Sequence, residues 1–270
     1  MKKRTISALV ISALTLLLLY HSANPTIMMS AAAIVCSICC YELACAVEVT
    51  QNKGLVFLAV ALSAALCFDQ NDGILYFAIA SLLVSIPFFS LLMKHKSNFQ
   101  LQNTASFLFL SALVIPQLAM LPRLRALPNG LLYVSIPILL CYITDVVAYL
   151  VGSRWGKRKL LPSVSPNKTI LGAAAGLGAA VLFSLLCGVA LHHFTSTRIS
   201  FGRLLGYAVV AGLLAQFGDL SMSAVKRNIG IKDFGKLIPG HGGMLDRFDS
   251  HIFVLSFICL FCCLTGGFLS

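Results

Sequence analysis

"ILGAAAGLGAAVLF" occupies residues 170–183, and its reading decides the fold. Two architectures place glycines this way. In a dinucleotide-binding fold a glycine-rich turn joins a strand to a helix, and the backbone there approaches a pyrophosphate. In a membrane helix, two glycines four apart remove side chains from one face and let a neighbouring backbone come close. No strand pattern precedes residue 170, and the apolar run continues to about residue 192. Gly172 and Gly176 therefore read as a packing face of a membrane span.

Working outward, the whole chain has this character. Of its 270 residues 59% are hydrophobic and 11% are charged, against about a quarter charged in soluble domains. Apolar runs of spanning length or nearly so lie near 5–20, 27–48, 54–68, 73–93, 104–121, 130–151, 170–192, 201–220 and 250–269. The expected fold is an all-α, polytopic membrane protein of about nine transmembrane helices. The first run follows Met1-Lys2-Lys3-Arg4 and reads as an uncleaved span. Pro87, Pro116 and Pro137 fall within runs and are expected to kink them. All ten cysteines sit in apolar runs and read as small packing residues.

The net charge of +11 is a topology signal. With nine spans and a cytoplasmic N-terminus, 16 of the 20 Lys and Arg face the cytoplasm. Only Arg123, Arg125, Arg198 and Arg203 face outward, as the positive-inside rule requires. The expectation is a multi-pass protein of a cell (inner) membrane, N-terminus inside and C-terminus outside. A nucleic-acid partner is not expected, because the basic residues are split between apolar spans.

The polar residues then concentrate in two cytoplasmic loops, 152–169 and 221–249. "KRNIGIKDFGKLIPGHGGMLDRFDS" (226–250) holds three of the nine acidic residues, five Lys and Arg and five glycines. Asp246 and Asp249 share a helix face at i, i+3 spacing. With Asp219 leading into the same loop they form a carboxylate set suited to magnesium, or else cap a helix in solvent. The glycines of "PGHGG" (239–243), including Gly242 and Gly243, offer exposed N–H groups before a helix start, an anion-binding concavity. His241 is placed to meet a phosphate or base, or to make a structural hydrogen bond. Lys226, Arg227 and Arg247 favour a bound polyanion, lipid headgroups or simple topology. In the other loop, Ser165, Lys168 and Thr169 supply two hydroxyls and a cation just before a helix. Asp145, inside an apolar span, is either functional or paired with a basic neighbour.

These residues carry a resemblance. "SAVKRNIGIKDFGKLIPGHGGMLDRFD" (223–249) resembles the C-terminal signature of the phosphatidate cytidylyltransferases, and "DVVAYLVGSRWGK" (145–157) and "SPNKT" (165–169) look like two further blocks of that family in the same order. The similarity covers roughly residues 141–255. It implies a catalytic half at 126–270, behind variable helices at 1–125, with the active site at the cytoplasmic face. It also implies transfer of CMP from CTP to phosphatidic acid, giving CDP-diacylglycerol and pyrophosphate. A magnesium ion, with a second metal conceivable, would sit on Asp219, Asp246 and Asp249. Lys226, Arg227 and Lys168 would be phosphate contacts, with Ser223 and His241 beside them. A homodimer is compatible with such an enzyme. Two positions depart from the family pattern: Leu171 and Met222 stand where the family usually has Glu. The rival readings are a CTP-dependent enzyme acting on another lipid phosphate or a polyprenol, and an ion-coupled transporter using Asp145 and Asp219.

Overall fold

The computed structural model describes residues 21–68, 101–195, 198–238 and 242–269. Its helices are α1 (Pro25–Ala46), α2 (Lys53–Phe68), α3 (Leu101–Leu118), α4 (Met120–Ala126), α5 (Gly130–Trp155), α6 (Ile170–Thr195), α7 (Phe201–Ile229), α8 (Leu245–Phe248) and α9 (His251–Thr265). Five segments, Pro25–Ala46, Gln102–Ala126, Gly130–Trp155, Ile170–Phe194 and Phe201–Ile229, are long and apolar enough to cross a membrane, and α2 and α9 are shorter apolar helices. The protein is mostly helical and reads as a multi-pass membrane protein. Seven of the nine expected spans coincide with these helices. The other two, near 5–20 and 73–93, lie outside the described residues, as does Pro87.

By its internal contacts the chain forms two units, Met1–Ala126 with Ile231–Arg247, and Leu127–Gly230 with Phe248–Ser270. The glycine-rich segment 231–247 thus groups with the N-terminal helices. In the first unit α1 packs on α2, α3 and α4. It starts cleanly because the Asn24 side chain accepts the Thr26 N–H at 3.0 Å and Pro25 opens the first turn, where its missing N–H costs nothing. Cys36, Cys39, Cys40, Leu43, Phe107, Leu118 and Leu124 are buried. All ten cysteines are free thiols, and five of those ten are buried, as packing residues should be.

In the second unit α5, α6, α7 and α9 pack together. The α5–α6 contact uses the glycines of the opening stretch. A Cβ on Gly172 would lie 2.5 Å from the Ala148 carbonyl oxygen, and one on Gly176 would lie 2.8 Å from that of Thr144. Either substitution would push the helices apart. Tyr207 is fully buried and stacks on Phe257, ring centres 5.9 Å apart.

The sequence reading needs one correction here. A strand does precede α6: β1 (Lys159–Leu161) and β2 (Ser165–Thr169) pair antiparallel, Lys159 opposite Thr169 and Leu161 opposite Ser165. The expected loop 152–169 is therefore largely a hairpin. It is not the parallel βαβ unit of a dinucleotide fold, whose strands run side by side through a crossover helix, so the membrane reading of 170–183 stands.

Candidate active site

The polar residues of the second unit converge. On α7, Asp219, Ser223 and Lys226 recur at i, i+4 and i+7, one helical face. β2 delivers Lys168, whose Nζ pairs with Asp219 Oδ2. Ser223 Oγ donates to Asp219 Oδ1 at 3.3 Å. Lys226 Nζ lies 3.9 Å from Asp249 Oδ2, in the short connection between α8 and α9. The Ser250 N–H donates to Asp249 Oδ1 at 2.8 Å, and Ser250 Oγ donates to Asp145 Oδ2 on α5 at 2.9 Å. Gly218 lets the chain at residue 249 press against α7, since an added Cβ would meet the Asp249 carbonyl oxygen at 2.7 Å. Asp145 thus enters the cluster through a serine.

Three carboxylates, Asp145, Asp219 and Asp249, face two lysines here, so negative charge is in excess. The environment is also poorly hydrated. Burial, reinforced by the charge on Asp219, lifts the Asp249 carboxyl to about 7, with Lys226 opposing. An added cation would relieve both pressures at once, since it favours the ionised carboxylates that burial disfavours.

Asp246 behaves differently. It belongs to the first unit and is buried, and its Oδ2 accepts the N–H groups of Phe234 and Gly243, each at 2.9 Å. The next two N–H groups, of Met244 and Leu245, donate to Glu42 Oε1 and Oε2, also at 2.9 Å. The N–H groups of 243–245 are therefore taken by carboxylates of the protein itself, while residues 239–241 of the expected anion-binding stretch lie outside the described residues. The Gly243 N–H donates to Asp246. Gly242 has φ +83°, and its carbonyl accepts from Ile238. His241 lies outside the described residues.

Thr169 has a structural partner. It is 3% exposed, and its Oγ1 accepts the Gly172 N–H at 3.1 Å. Its hydroxyl starts α6 and packs against Gly152 and Gly156. Ser165 is half-buried on β2, Arg227 is exposed on the last turn of α7, and Arg247 lies on α8. Leu171 is exposed and Met222 is buried.

Glu42 and Ser250 were not anticipated. Ser250 carries no sequence signal. Glu42 did, because it is an ionisable residue within the apolar run 27–48, the same feature that singles out Asp145.

A relative from Staphylococcus aureus (strain COL), named phosphatidate cytidylyltransferase, is 45% identical over 127 residues, 47% of each chain. Proteins of the same name from Staphylococcus epidermidis (strain RP62A) and Staphylococcus haemolyticus (strain JCSC1435) are 42% identical over 127 residues, again 47% of each chain. The chain spans about half the length of the curated relatives it matches. The sequence model described as the cytidylyltransferase family matches far more, residues 2–265, and by that match the chain belongs to the cytidylyltransferase family.

Proposed function

We propose that this protein transfers CMP from CTP to phosphatidic acid, releasing pyrophosphate and forming CDP-diacylglycerol. The observation that carries the reading is the partly buried cluster of Lys168, Asp219, Lys226 and Asp249, in a membrane protein of this family whose matched relatives bear that activity's name.

In the reaction an oxygen of the phosphatidic acid phosphate attacks the α-phosphorus of CTP. A new P–O bond forms, the bond to the β-phosphate oxygen breaks, and pyrophosphate departs with its electron pair. That phosphate is largely ionised near neutral pH, so no strong general base is required. The barrier is the approach of two polyanions, and fixed cations lower it most. Lys168 and Lys226 serve this purpose, each able to exchange its carboxylate partner for a phosphate oxygen. Ser223 orients Asp219, and Arg227 at the exposed end of α7 attracts the triphosphate.

Magnesium fits the donor set. Among the described residues no three His, Cys, Asp or Glu side chains come together as a ready-made metal cage. Magnesium does not need one, because it usually takes one or two carboxylates and completes its shell with water and substrate phosphates. Asp219 and Asp249 would hold it. When bound, the ion would screen the phosphates and stabilise charge on the leaving group.

The Lys and Arg asymmetry supports a cytoplasmic N-terminus and a cytoplasmic site, on the side where CTP is found. The test is transfer of label from CTP to phosphatidic acid by detergent-purified protein, with and without magnesium. Magnesium-dependent CDP-diacylglycerol is the expected product, and well-folded protein that forms none would sink the reading.

A further inference from the structure

Glu42 is the one carboxylate of the apolar helix α1, and it is 6% exposed. A charged group in such a position is costly, and an apolar side chain would fill the same space without that cost. Its geometry shows what is gained. Each carboxylate oxygen takes one backbone N–H, from Met244 and from Leu245, at 2.9 Å. The loop presses on it from two further points. A Cβ on Gly243 would come within 2.5 Å of Glu42 Oε2, and a Cβ on Gly235 would collide with Oε1. Asp246, one residue beyond the pair that Glu42 holds, ties Phe234 to Gly243. Four consecutive N–H or carboxylate positions, 243 to 246, are thus fixed by two side chains, and one of those comes from a helix about two hundred residues earlier.

We propose that Glu42 is a positioning residue for Asp246, a candidate residue of the proposed transfer: it anchors the 242–247 segment of its own unit and so sets where that carboxylate stands. The proposal rests on the activity proposed above. Glu42 touches no reacting atom. It works through the backbone it holds, and its glycine neighbours are required because only a chain without side chains can come this close to a carboxylate.

Glutamine has nearly the same shape but only one accepting oxygen, so Glu42→Gln keeps one bond and turns an NH2 toward the other N–H. A lost N–H to carboxylate bond corresponds to a change of about 10- to 100-fold. The experiment uses full-length protein in detergent and compares Glu42→Gln, Glu42→Asp and Gly235→Ala with the wild type. Amide exchange by mass spectrometry is read over 242–247 and over the remaining helices, and kcat and KM for CTP are measured in parallel. Glu42→Gln is expected to speed exchange in 242–247 alone by at least about tenfold and to lower kcat by about 10- to 100-fold with KM for CTP nearly unchanged. Glu42→Asp is expected to recover part of both effects, and Gly235→Ala, which leaves the carboxylate in place but crowds it, to show the same pattern more weakly. Wild-type exchange and wild-type kcat in Glu42→Gln would overturn the proposal, as would activity losses that merely track the fraction of folded protein. If the wild type transfers no CMP, the proposed activity falls and the positioning role falls with it. Exchange over 242–247 would still show whether Glu42 holds the segment, which keeps the two failures apart.

Discussion

Two regions of this molecule set carboxylates against N–H donors, and they employ them in opposite ways. In the segment 231–247 and α1, Asp246 and Glu42 accept four backbone N–H groups between them. In the second unit Asp219 and Asp249 face Lys168 and Lys226. Backbone donors cannot leave, so Oδ2 of Asp246 and both oxygens of Glu42 fix the chain. Lysine side chains can swing away, and a carboxylate so released can take a metal ion while the lysine takes a phosphate. The same functional group is thus a rivet in one place and an exchangeable contact in the other, and the difference lies in the donor.

The comparison can be broken most decisively at its exchangeable end. Asp219→Asn is expected to lower CMP transfer by at least about a thousandfold while leaving the detergent-solubilised protein folded, as circular dichroism would show. Asp246→Asn is also expected to abolish turnover, but with faster amide exchange at 234 and 243, because both N–H groups share Oδ2 and a neutral amide oxygen there accepts them more weakly than a carboxylate does. Equal exchange in the two variants would erase the distinction drawn here. Next in size, Lys226→Ala should reduce kcat/KM for CTP by about a hundredfold, a loss that added magnesium would not restore.

A smaller effect concerns proton linkage. The folded Asp249 carboxyl lies at about 7, above its ordinary value, so its ionisation costs stability that is fully felt above that pH and absent well below pH 4. Without magnesium, Asp249→Asn should therefore melt above the wild type at pH 8, with the advantage shrinking as the pH falls toward 5. A constant difference across that range would place the titration elsewhere. Smallest of all, Thr169→Val should cost about 1 kcal/mol through the lost cap of α6, with catalysis in the folded fraction unchanged. A specific loss of CTP affinity instead would return Thr169 to the substrate.

Much of this was legible in advance, for reasons that differ residue by residue. The helices could be found because lipid imposes a length and an apolar composition that few other demands imitate. Gly172 and Gly176 were readable because close packing of two helices leaves a spacing in one of them. Asp219, Ser223 and Lys226 share a face by helical periodicity alone. The hairpin was hidden, since three- and five-residue strands carrying Lys, Pro and Asn have neither the length nor the alternation that marks a strand. The use of Thr169 as a cap depends on a contact three residues away that serine and threonine make in many settings. The partners of Glu42 could not be read at all, because nothing local to residue 42 points to residues 244 and 245.

That last pairing also bears on how the protein is made. As the chain emerges, α1 enters the bilayer long before the segment that will satisfy its carboxylate exists. Until then Glu42 must find water, a headgroup or a helper protein, or carry a proton. Closing a loop of this length costs only about 5 kcal/mol in a flexible chain, which the intervening helices would lower further by packing ahead of it. The nascent protein thus holds an unmet electrostatic demand that only its own later translation can meet. Half-made chains would be marked by it, with an exposed polar spot on an otherwise greasy helix for quality control to find.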